Sequence, residues 1–217
     1  MERPSALVLH SGGLDSTTLL YYVVKKLRYT HVEAVGFDYG QKHAKELTYA
    51  GMSARKLNIP FQRITINLIH LGNHPLLAKS ARIPSAIEDS QHVLVVPARN
   101  LIFISYAVLY ALQKGLRDIY VAATLDDFRS FPDCRPEFYH HMNAAVASAY
   151  DVRVYAPFTN MTKADIVRTG MELGVPYELT WTCYVGKSKP CRVCDACVER
   201  EAAFSANGLT DPLLREG

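Results

Sequence analysis

The fold of this chain is indicated by one hexapeptide, Ser11-Gly12-Gly13-Leu14-Asp15-Ser16. The apolar run Ala6-Leu7-Val8-Leu9 precedes it, and a helix-like segment from Thr17 to Leu27 follows it. A strand, a glycine-rich turn and a helix in this order favour phosphate binding, because the turn and the helix N-terminus expose backbone N–H groups. The hexapeptide is not a Walker A motif, since no Gly-Lys-Ser/Thr follows. Asp15 instead predicts a Mg²⁺ ion, because a carboxylate beside phosphates is repulsive without a cation between them.

The composition indicates one globular α/β domain with a small appendage. The chain has 217 residues, of which 49% are hydrophobic and 21% charged, so it is long enough for a full core. Its net charge of +3 gives no argument for nucleic-acid binding by itself. No apolar run approaches the roughly 18 residues that a membrane span needs. Since the N-terminus enters a strand without a signal peptide, we expect a cytoplasmic enzyme.

Apolar, β-branched runs alternate with helical patterns along the chain. The predicted strands are Ala6–His10, Val32–Asp38, Phe61–Ile66, Ile119–Thr124 and Val152–Tyr155. The predicted helices are Thr17–Leu27, His43–Leu57, Asn100–Gln113, Pro136–Ala149 and Lys163–Leu173. Strands that are apolar throughout and separated by helices predict a doubly wound, parallel, five-stranded sheet of the α/β class. Ligands of such sheets bind beyond the carboxyl ends of the strands, where the hexapeptide lies.

Two segments do not fit the alternation. Residues 67–92 are polar and interrupted by glycine and proline, which predicts a long connection. After the last predicted helix comes a region that holds four of the five cysteines. We therefore expect a nucleotide-binding domain at residues 1–180 and a C-terminal module at residues 181–217, made of a four-cysteine metal site and a terminal helix.

The cysteines of this module have the spacing of metal ligands, and they are Cys183, Cys191, Cys194 and Cys197. Two overlapping C-x-x-C turns and a nearby fourth cysteine suit tetrahedral Zn²⁺, and because no coordination position stays open the zinc would be structural. A 4Fe–4S cluster also takes four thiolates, and unligated thiols are a third interpretation. Without a secretory context, this crowding favours a metal over disulfides. Cys134 lies far away and is not expected to be a ligand.

Polar side chains also follow the other predicted strands and fall on the ligand-binding edge of the sheet. Arg99 and Arg135 lie between apolar segments there, where a guanidinium suits a carboxylate or a phosphate. Lys163 opens a helix, a position that disfavours a cation unless an anion is bound beside it. Asn100 is expected either to cap its helix or to take part in the site. The histidines expected to be solvated helix residues are His43, His140 and His141.

The hexapeptide in its strand–loop–helix setting resembles the pyrophosphate loop (PP-loop) of the ATP pyrophosphatases. In that superfamily ATP is cleaved between its α and β phosphates, and a nitrogen or sulfur nucleophile then displaces the adenylated oxygen. Further segments follow in order: FDYGQKHAKEL, VPARN, PDCRPEF, TKADIVRTGMELGVPYELTWTCY and the terminal CxxCxxC. With the loop, they resemble the 7-cyano-7-deazaguanine synthase family, QueC, over almost the full chain. This resemblance implies an adenine nucleotide alpha-hydrolase-like fold.

Enzymes of that family convert 7-carboxy-7-deazaguanine to the nitrile, a precursor of queuosine. The resemblance implies a carbon–nitrogen ligase that uses ATP and ammonia, binds Zn²⁺ and forms a homodimer. Adenylation would give the carboxylate a leaving group, so that ammonia forms the amide. A second activation, at the amide oxygen, would permit elimination to the nitrile. The partners implied are small molecules, with no membrane.

The resemblance also assigns roles to residues of this chain. Asp15 would bind Mg²⁺, and Lys163 would neutralise phosphate charge as the adenylate forms. Asp133 is the candidate for binding the guanidine-like N–H edge of the deazaguanine, and Arg135 or Arg99 for holding its carboxylate. The four cysteines match the zinc ligands. The ATP loop would comprise His10, Ser11, Gly12, Gly13, Leu14, Asp15, Ser16, Thr17, Thr18, Leu19 and Leu20.

Some positions depart from the family pattern. Arg129-Ser130-Phe131 stands where Ser-Gly-Tyr is usual, Ala123-Thr124-Leu125 replaces a Gly-Val-Asn-like start of the same loop, and Arg192 replaces a glycine. The added arginine and the lost tyrosine hydroxyl concern the attacking nucleophile rather than recognition of the base. The first alternative is therefore a paralogue that joins the same acid to another amine, on a protein or a nucleic acid. The others are a tRNA-modifying PP-loop enzyme and a zinc-stabilised nucleotide-binding module without catalysis.

Overall fold

The centre of the molecule is a five-stranded sheet in which every neighbouring pair of strands is parallel. The computed structural model describes residues 4–68, 74–77, 82–86, 94–129, 131–185 and 188–214. The strands are β1 (Ser5–Leu9), β2 (His31–Asp38), β3 (Phe61–Thr65), β4 (Asp118–Tyr120) and β5 (Arg153–Tyr155), in the order β3-β2-β1-β4-β5. The chain thus winds outward from β1 in both directions, which confirms the doubly wound prediction. The strand order reverses between β1 and β4, where sheets of this kind bind ligands.

Helices cover both faces of the sheet. They are α1 (Leu14–Tyr21), α2 (Lys45–Lys56), α3 (Arg99–Lys114), α4 (Pro136–Ala149), α5 (Lys163–Leu173) and α6 (Asp195–Ser205). A π-helical turn at Tyr22–Lys26 continues α1, and 3-10 turns lie at Leu125–Arg129, Pro132–Cys134, Tyr177–Leu179 and Pro212–Leu214. In the described ranges, no helix has the length and apolarity that a membrane crossing requires.

The central strand β1 is apolar because both of its faces are buried, whereas the edge strands β3 and β5 are partly exposed. On β1, Leu7 points into a core that it shares with α3 and α4, represented by Ile104 and Tyr139. Val8 points to the opposite face, into a core shared with α1 and α5, represented by Leu19 and Ile166. Burying a side chain of this size contributes about 1.5–3 kcal/mol. The two cores hold β1 in place from both sides, and with it the hexapeptide that follows its carboxyl end.

The strand β4 ends before the predicted boundary at Thr124. The carboxylate of Asp127 accepts hydrogen bonds from the Thr124 backbone N–H at 3.1 Å and from its hydroxyl at 2.8 Å. Thr124 therefore starts the 3-10 turn at Leu125–Arg129 rather than extending the sheet. Val121 and Ala122, which follow β4, line the cavity at the sheet edge.

The contact between α1 and α5 depends on a buried tyrosine that follows α5. The hydroxyl of Tyr177 donates to the carbonyl of Ile166 at 3.1 Å and lies 2.9 Å from Oγ1 of Thr18 on α1. A Cβ at Gly170 would lie 1.9 Å from this hydroxyl, so the close approach requires glycine. The glycine thereby lets Tyr177 hold the helix that begins at the loop.

The C-terminal segment is tied to the rest of the chain by a buried ion pair. Arg200 on α6 donates to both carboxylate oxygens of Asp211, at 2.7 and 2.8 Å. It also donates to the hydroxyls of Thr180 at 2.6 Å and Thr182 at 3.0 Å, and to the carbonyl of Tyr177 at 3.0 Å. The guanidinium is thus fully satisfied, which a buried charge requires. It joins α6 and the last turn to the segment after α5.

Candidate active site

A cavity of about 240 Å³ opens at the carboxyl edge of the sheet, beside the reversal of strand order. Its walls come from the ends of β1, β2 and β4 and from the first turns of α1, α2 and α3, and the segment before Cys183 adds a further wall. The lining residues used below are His10, Ser11, Gly13, Leu14, Asp15, Ser16, Phe37, Tyr39, His43, Glu46, Arg99, Asn100, Trp181, Thr182 and Tyr184. The site therefore lies where the topology predicts it.

The shape of the glycine-rich loop is set by its own hydrogen bonds and by the packing of α2 against it. Gly12 has φ +87°, and a Cβ there would lie 2.2 Å from the carbonyl oxygen of Glu46, so α2 packs directly on the loop. The Ser11 hydroxyl accepts from the Gly13 N–H at 3.3 Å and lies 3.1 Å from Oγ of Ser16. Because the N-cap residue Gly13 has no side chain, it offers no cap of its own to the first N–H groups of α1. These groups are suited to phosphate oxygens.

The predicted ATP-loop residues divide into two groups. His10, Ser11, Gly13, Leu14, Asp15 and Ser16 line the cavity. Thr17, Thr18, Leu19 and Leu20 are fully buried within α1. The hydroxyl of Thr18 donates to the carbonyl of Leu14 at 2.9 Å, so this second group supports the loop from inside the protein.

His10 ends the strand that leads into the loop and is buried. Its Nε2 lies 2.8 Å from Oγ of Ser53 on α2. Burial lowers the pKa of His10 to about 4, so the imidazole is neutral at physiological pH. It therefore brings no positive charge to the phosphate site.

Asp15 and Lys163 belong to one cluster of charges. Nζ of Lys163 lies 3.1 Å from the Asp127 carboxylate and 3.3 Å from that of Glu199 on α6. Burial opposes the charged form of Lys163, but the carboxylates of Asp15, Asp127 and Glu199 raise its pKa well above the usual value. Burial also opposes the charged form of Asp15 and raises its pKa to about 6, although the positive charge of Lys163 acts to lower it. Burial has the larger effect on Asp15, and Lys163 stays charged.

These carboxylates explain how a lysine can open α5. The backbone N–H of Lys163 donates to Asp126 at 2.7 Å, and Thr162 caps the helix by accepting from the Asp165 N–H at 3.2 Å. The negative charge expected beside Lys163 is thus supplied by protein side chains. Oδ1 of Asp15 is buried and has no hydrogen-bond partner among the described residues, which fits a carboxylate that binds a divalent cation.

Of the residues predicted to contact the deazaguanine acid, Arg99 lines the cavity. It is the first residue of α3, after Ala98 in the left-handed conformation (φ +57°), and it donates to the Tyr39 hydroxyl at 3.2 Å. Asp133 instead accepts from the Asn100 N–H at 3.0 Å and so caps α3. Arg135 is exposed at the start of α4. In the described part of the chain, the cavity wall includes neither Asp133 nor Arg135.

The expectation that His43 is solvated is wrong, because its side chain lines the cavity and the residue is 3% exposed. His43 lies 3.5 Å from Oε1 of Glu46, which also accepts from Nε2 of Gln41 at 3.3 Å. Gln41 is fixed by accepting from the Tyr39 N–H at 2.9 Å and by donating to the Phe37 carbonyl at 3.0 Å. These polar residues follow β2 directly, and that position is the signal that could have identified them. His140 and His141 are exposed, as predicted.

The four cysteines of the C-terminal module lie together. Their sulfur atoms are all within 4.8 Å of one another, and those of Cys191 and Cys197 are 3.9 Å apart. A tetrahedral ion with metal–sulfur bonds of about 2.3 Å holds its sulfurs about 3.8 Å apart, so the four thiols fit a metal site. Backbone N–H groups donate to Cys183 at 3.3 Å and to Cys191 at 3.4 Å, which orients the sulfurs. Cys134 lies elsewhere, beside Asn100.

The segment that leads into the cysteines contacts the loop. The Trp181 N–H donates to the Gly12 carbonyl at 2.9 Å, and the Trp181 indole donates to the Cys183 carbonyl at 3.1 Å. Glu199 on α6 pairs with Lys163, as described above. The cysteine module is therefore linked both to the cavity wall and to the charge cluster.

The residues that depart from the family pattern are only partly described. Ser130 lies outside the described residues. Phe131 is half-buried against the core, and its N–H donates to the Asp127 carbonyl at 2.9 Å. Arg192 has φ +63°, the backbone conformation that favours glycine, and it pairs with Glu201 at 2.7 Å.

Two solved structures share this fold. The U34-tRNA thiolase NcsA from Methanococcus maripaludis, solved with its 4Fe–4S cluster, has a TM-score of 0.51 at 8% identity and covers 96% of this chain and 67% of its own. The NMN synthetase from Francisella tularensis has a TM-score of 0.51 at 15% identity and covers 96% of this chain and 79% of its own. At such low identity these similarities establish the fold alone.

Sequence comparison is more specific. A 7-cyano-7-deazaguanine synthase from Archaeoglobus fulgidus is 45% identical over 97% of this chain and 90% of its own. The synthase of the same name from Pseudoalteromonas translucida is 42% identical over 97% of this chain and 98% of its own. The one from Thermoplasma acidophilum is 40% identical over 100% of this chain and 94% of its own. The family described as "Queuosine biosynthesis protein QueC" matches residues 5–208. The chain therefore belongs to the QueC family.

Proposed function

We propose that this chain is an ATP-dependent carbon–nitrogen ligase that converts 7-carboxy-7-deazaguanine to 7-cyano-7-deazaguanine. The observation that carries the proposal is the meeting of the glycine-rich loop, Asp15 and Arg99 in one cavity of a QueC-family chain. These residues supply phosphate donors, a cation-binding carboxylate and a guanidinium for an acid. Activation of a carboxylate by ATP requires these groups together.

In the proposed reaction, the loop N–H groups bind the phosphates, and Arg99 holds the carboxylate of the base. Mg²⁺ at Asp15 would neutralise phosphate charge when bound. The substrate carboxylate then attacks the α-phosphorus, and pyrophosphate leaves. During this step the positive charge of Lys163 compensates the negative charge of the carboxylates around Asp15. Ammonia displaces AMP to give the amide, and a second activation at the amide oxygen allows elimination to the nitrile.

One incubation tests this function. The protein is mixed with ATP, Mg²⁺, 7-carboxy-7-deazaguanine and ammonium, and mass spectrometry follows the base and the nucleotide. The nitrile, with AMP and pyrophosphate that depend on the acid, is the expected result. Acid-dependent AMP without nitrile would refute nitrile synthesis and favour a paralogue that uses another amine. Absence of any acid-dependent ATP cleavage would refute both.

For the cysteine site we propose structural Zn²⁺. Sulfur atoms within 4.8 Å of one another suit a single ion, because a cube-shaped 4Fe–4S cluster would separate the thiolates further. All four ligand positions would be filled by protein, which leaves none for catalysis. Elemental analysis of protein purified without added metal tests this, with one zinc and no iron per chain expected. Iron and labile sulfide in equal amounts would contradict it.

We also propose that the enzyme acts as a homodimer, in the cytoplasm, where ATP is available and thiols stay reduced. The helix α3 supports the dimer because it exposes an apolar surface formed by Leu101, Tyr106, Leu109 and Leu112. Leu109, 52% exposed, is the most exposed of them. Leu109→Glu should convert a dimer to a monomer in light scattering, and an unchanged mass would contradict this placement of the interface.

A further inference from the structure

The adenylation step leaves one carboxylate of the cavity without a role. Glu46 lies in the first turn of α2, and its side chain is 12% exposed, toward the cavity that it lines. Its Oε1 accepts from Gln41 at 3.3 Å and lies 3.5 Å from Nε2 of His43. Within the described residues, no group hydrogen-bonds the second oxygen, Oε2. One oxygen of Glu46 is therefore fixed by protein, and the other is free to meet a ligand.

The position of Glu46 places it beside the phosphate loop. Its backbone carbonyl is so near Gly12 that a Cβ there would lie 2.2 Å away. The lining of the same cavity also includes Gly13, Asp15 and Arg99. An acid adenylated between the loop and Arg99 would thus present its acyl carbon to a space that Glu46 borders.

The surroundings of Glu46 are matched to proton transfer. Burial raises its pKa to about 8, against the effects of the Gln41 hydrogen bond and the Arg99 guanidinium. The other titratable groups that face it are Tyr39, which shares a hydrogen bond with Arg99, and His43. Burial and then Arg99 lower the pKa of His43 to about 3, so His43 is neutral and Glu46 is the member of this pair that gains and loses a proton near neutral pH. A carboxylate that titrates near neutral pH both accepts and releases a proton readily.

We propose that Glu46 is the proton acceptor for the nitrogen nucleophile that attacks the acyl adenylate. The inference rests on the proposed function. The nitrogen lone pair forms the C–N bond, the C–O bond to AMP breaks, and AMP takes that electron pair. Before the attack, Oε2 of Glu46 takes one proton from ammonium and passes it to solvent. The proton that the nitrogen loses as the amide forms is taken up by the phosphate of the departing AMP. When the amide is activated in turn, its nitrogen loses two protons: one passes to the same oxygen of Glu46, and the other leaves with AMP as the nitrile forms.

Recognition of the nucleobase is the competing role for this carboxylate. Two neighbouring N–H groups of a guanidine-like edge call for two free carboxylate oxygens. Among the described residues only Oε2 of Glu46 is without a protein donor, because Oε1 already accepts from Gln41. The arrangement favours the transfer of a single proton over bidentate recognition.

The test compares two nucleophiles. Ammonium must lose a proton before its nitrogen can attack, whereas hydroxylamine is unprotonated at pH 7 and traps the acyl adenylate as a hydroxamate. Glu46→Gln, which keeps the shape of the side chain, should lower amide and nitrile formation from ammonium by about 10²–10⁴-fold. Hydroxamate formation and its KM for the acid should stay within about twofold of wild type, since adenylation does not need this proton acceptor. Glu172→Gln, the same change at an exposed glutamate of α5, should alter neither rate.

Each other outcome has a distinct meaning. Equal losses with both nucleophiles would overturn the proposal and indicate a structural role. A raised KM for the acid in the hydroxamate reaction would overturn it in favour of nucleobase recognition, and unchanged nitrile formation would also overturn it. If wild type forms no hydroxamate from the acid, the proposed function itself fails. Glu46→Asp keeps an ionisable oxygen and serves if the glutamine variant does not fold: it should show a smaller loss, again with ammonium only.

Discussion

The buried ion pair between Arg200 and Asp211 can be tested by removing one of its charges. The side chains are 4% and 2% exposed, and the carboxylate accepts both parallel guanidinium bonds. Asp211→Asn keeps the size of the side chain but leaves the guanidinium buried without its counter-charge. We expect α6 and the segment around Thr180 to loosen together, because Arg200 joins them.

The size of the effect follows from what remains around Arg200. Removing one partner of a buried ion pair costs about 3–5 kcal/mol, because the other charge stays desolvated and unpaired. Arg200 keeps its bonds to Thr180 and to the Tyr177 carbonyl, and the asparagine keeps one acceptor oxygen. We therefore expect the lower end of the range, about 3 kcal/mol. Since domains unfold with only about 5–15 kcal/mol, this is a large share of the stability.

Urea unfolding of the metal-loaded protein, followed by tryptophan fluorescence, measures this loss. Trp181 is the one tryptophan of the chain, it is 1% exposed, and it adjoins Thr180. The midpoint should fall by about 1 M, given a slope of about 3 kcal/mol/M. The matched control is Asp151→Asn, which breaks an exposed pair with Arg117 and should cost less than about 1 kcal/mol.

The reasoning would be refuted if Asp211→Asn cost no more than Asp151→Asn. A second variant tests the cause. The double substitution Arg200→Met with Asp211→Leu removes both charges and should recover most of the loss, because no unpaired charge stays buried. A double variant as unstable as Asp211→Asn would show that packing rather than charge decides the stability here.

Three further predictions concern other parts of the molecule. Gly170→Ala should destabilise the protein by about 1–3 kcal/mol in urea, because the overpacking against the Tyr177 hydroxyl exceeds the gain of about 1 kcal/mol in helix propensity; an unchanged midpoint would contradict the close approach. Because the pKa of Asp15 is raised, the free energy of unfolding without Mg²⁺ should be higher at low pH and fall as the pH rises through about 6. In melting experiments at several pH values, Asp15→Asn should remove this fall. The same variant should also abolish acid-dependent pyrophosphate release. Cys194→Ser should lose the bound metal and lower the melting temperature, and a metal-free variant as stable as wild type would rule out the structural role.

The architecture could be predicted well from the sequence, because the pattern of apolar residues within each short segment indicates a strand or a helix. The central strand β1 buries both faces and is apolar, and each predicted strand is found in the sheet with limited shifts at its ends. The hexapeptide was placed correctly for the same reason: Gly12 and Gly13 lie between a strand and a helix that are both legible in sequence. The end of β4 was missed because the Asp127 side chain, rather than backbone propensity, draws Thr124 into a turn.

The cavity wall was harder to predict because it depends on contacts between distant segments. His43 precedes α2, so helical periodicity does not apply to it, and the Gln41 hydrogen bonds shape the turn that buries it. Sequence patterns could not distinguish Arg99 from Arg135 either. The former follows a left-handed Ala98 into the cavity, whereas the latter begins α4 at the surface. Nor could spacing show that the Asp133 carboxylate caps α3.

The hydrogen bond from the Trp181 N–H to the Gly12 carbonyl joins two residues that are far apart along the chain. Synthesis proceeds from the N-terminus, so the glycine loop leaves the ribosome long before its C-terminal partner exists. A contact between such distant residues forms late in folding, because the entropy of closing the long loop between them is lost before the contact contributes to stability. A nascent or truncated chain should therefore have no competent nucleotide pocket, and only the completed polypeptide would compete for cellular ATP.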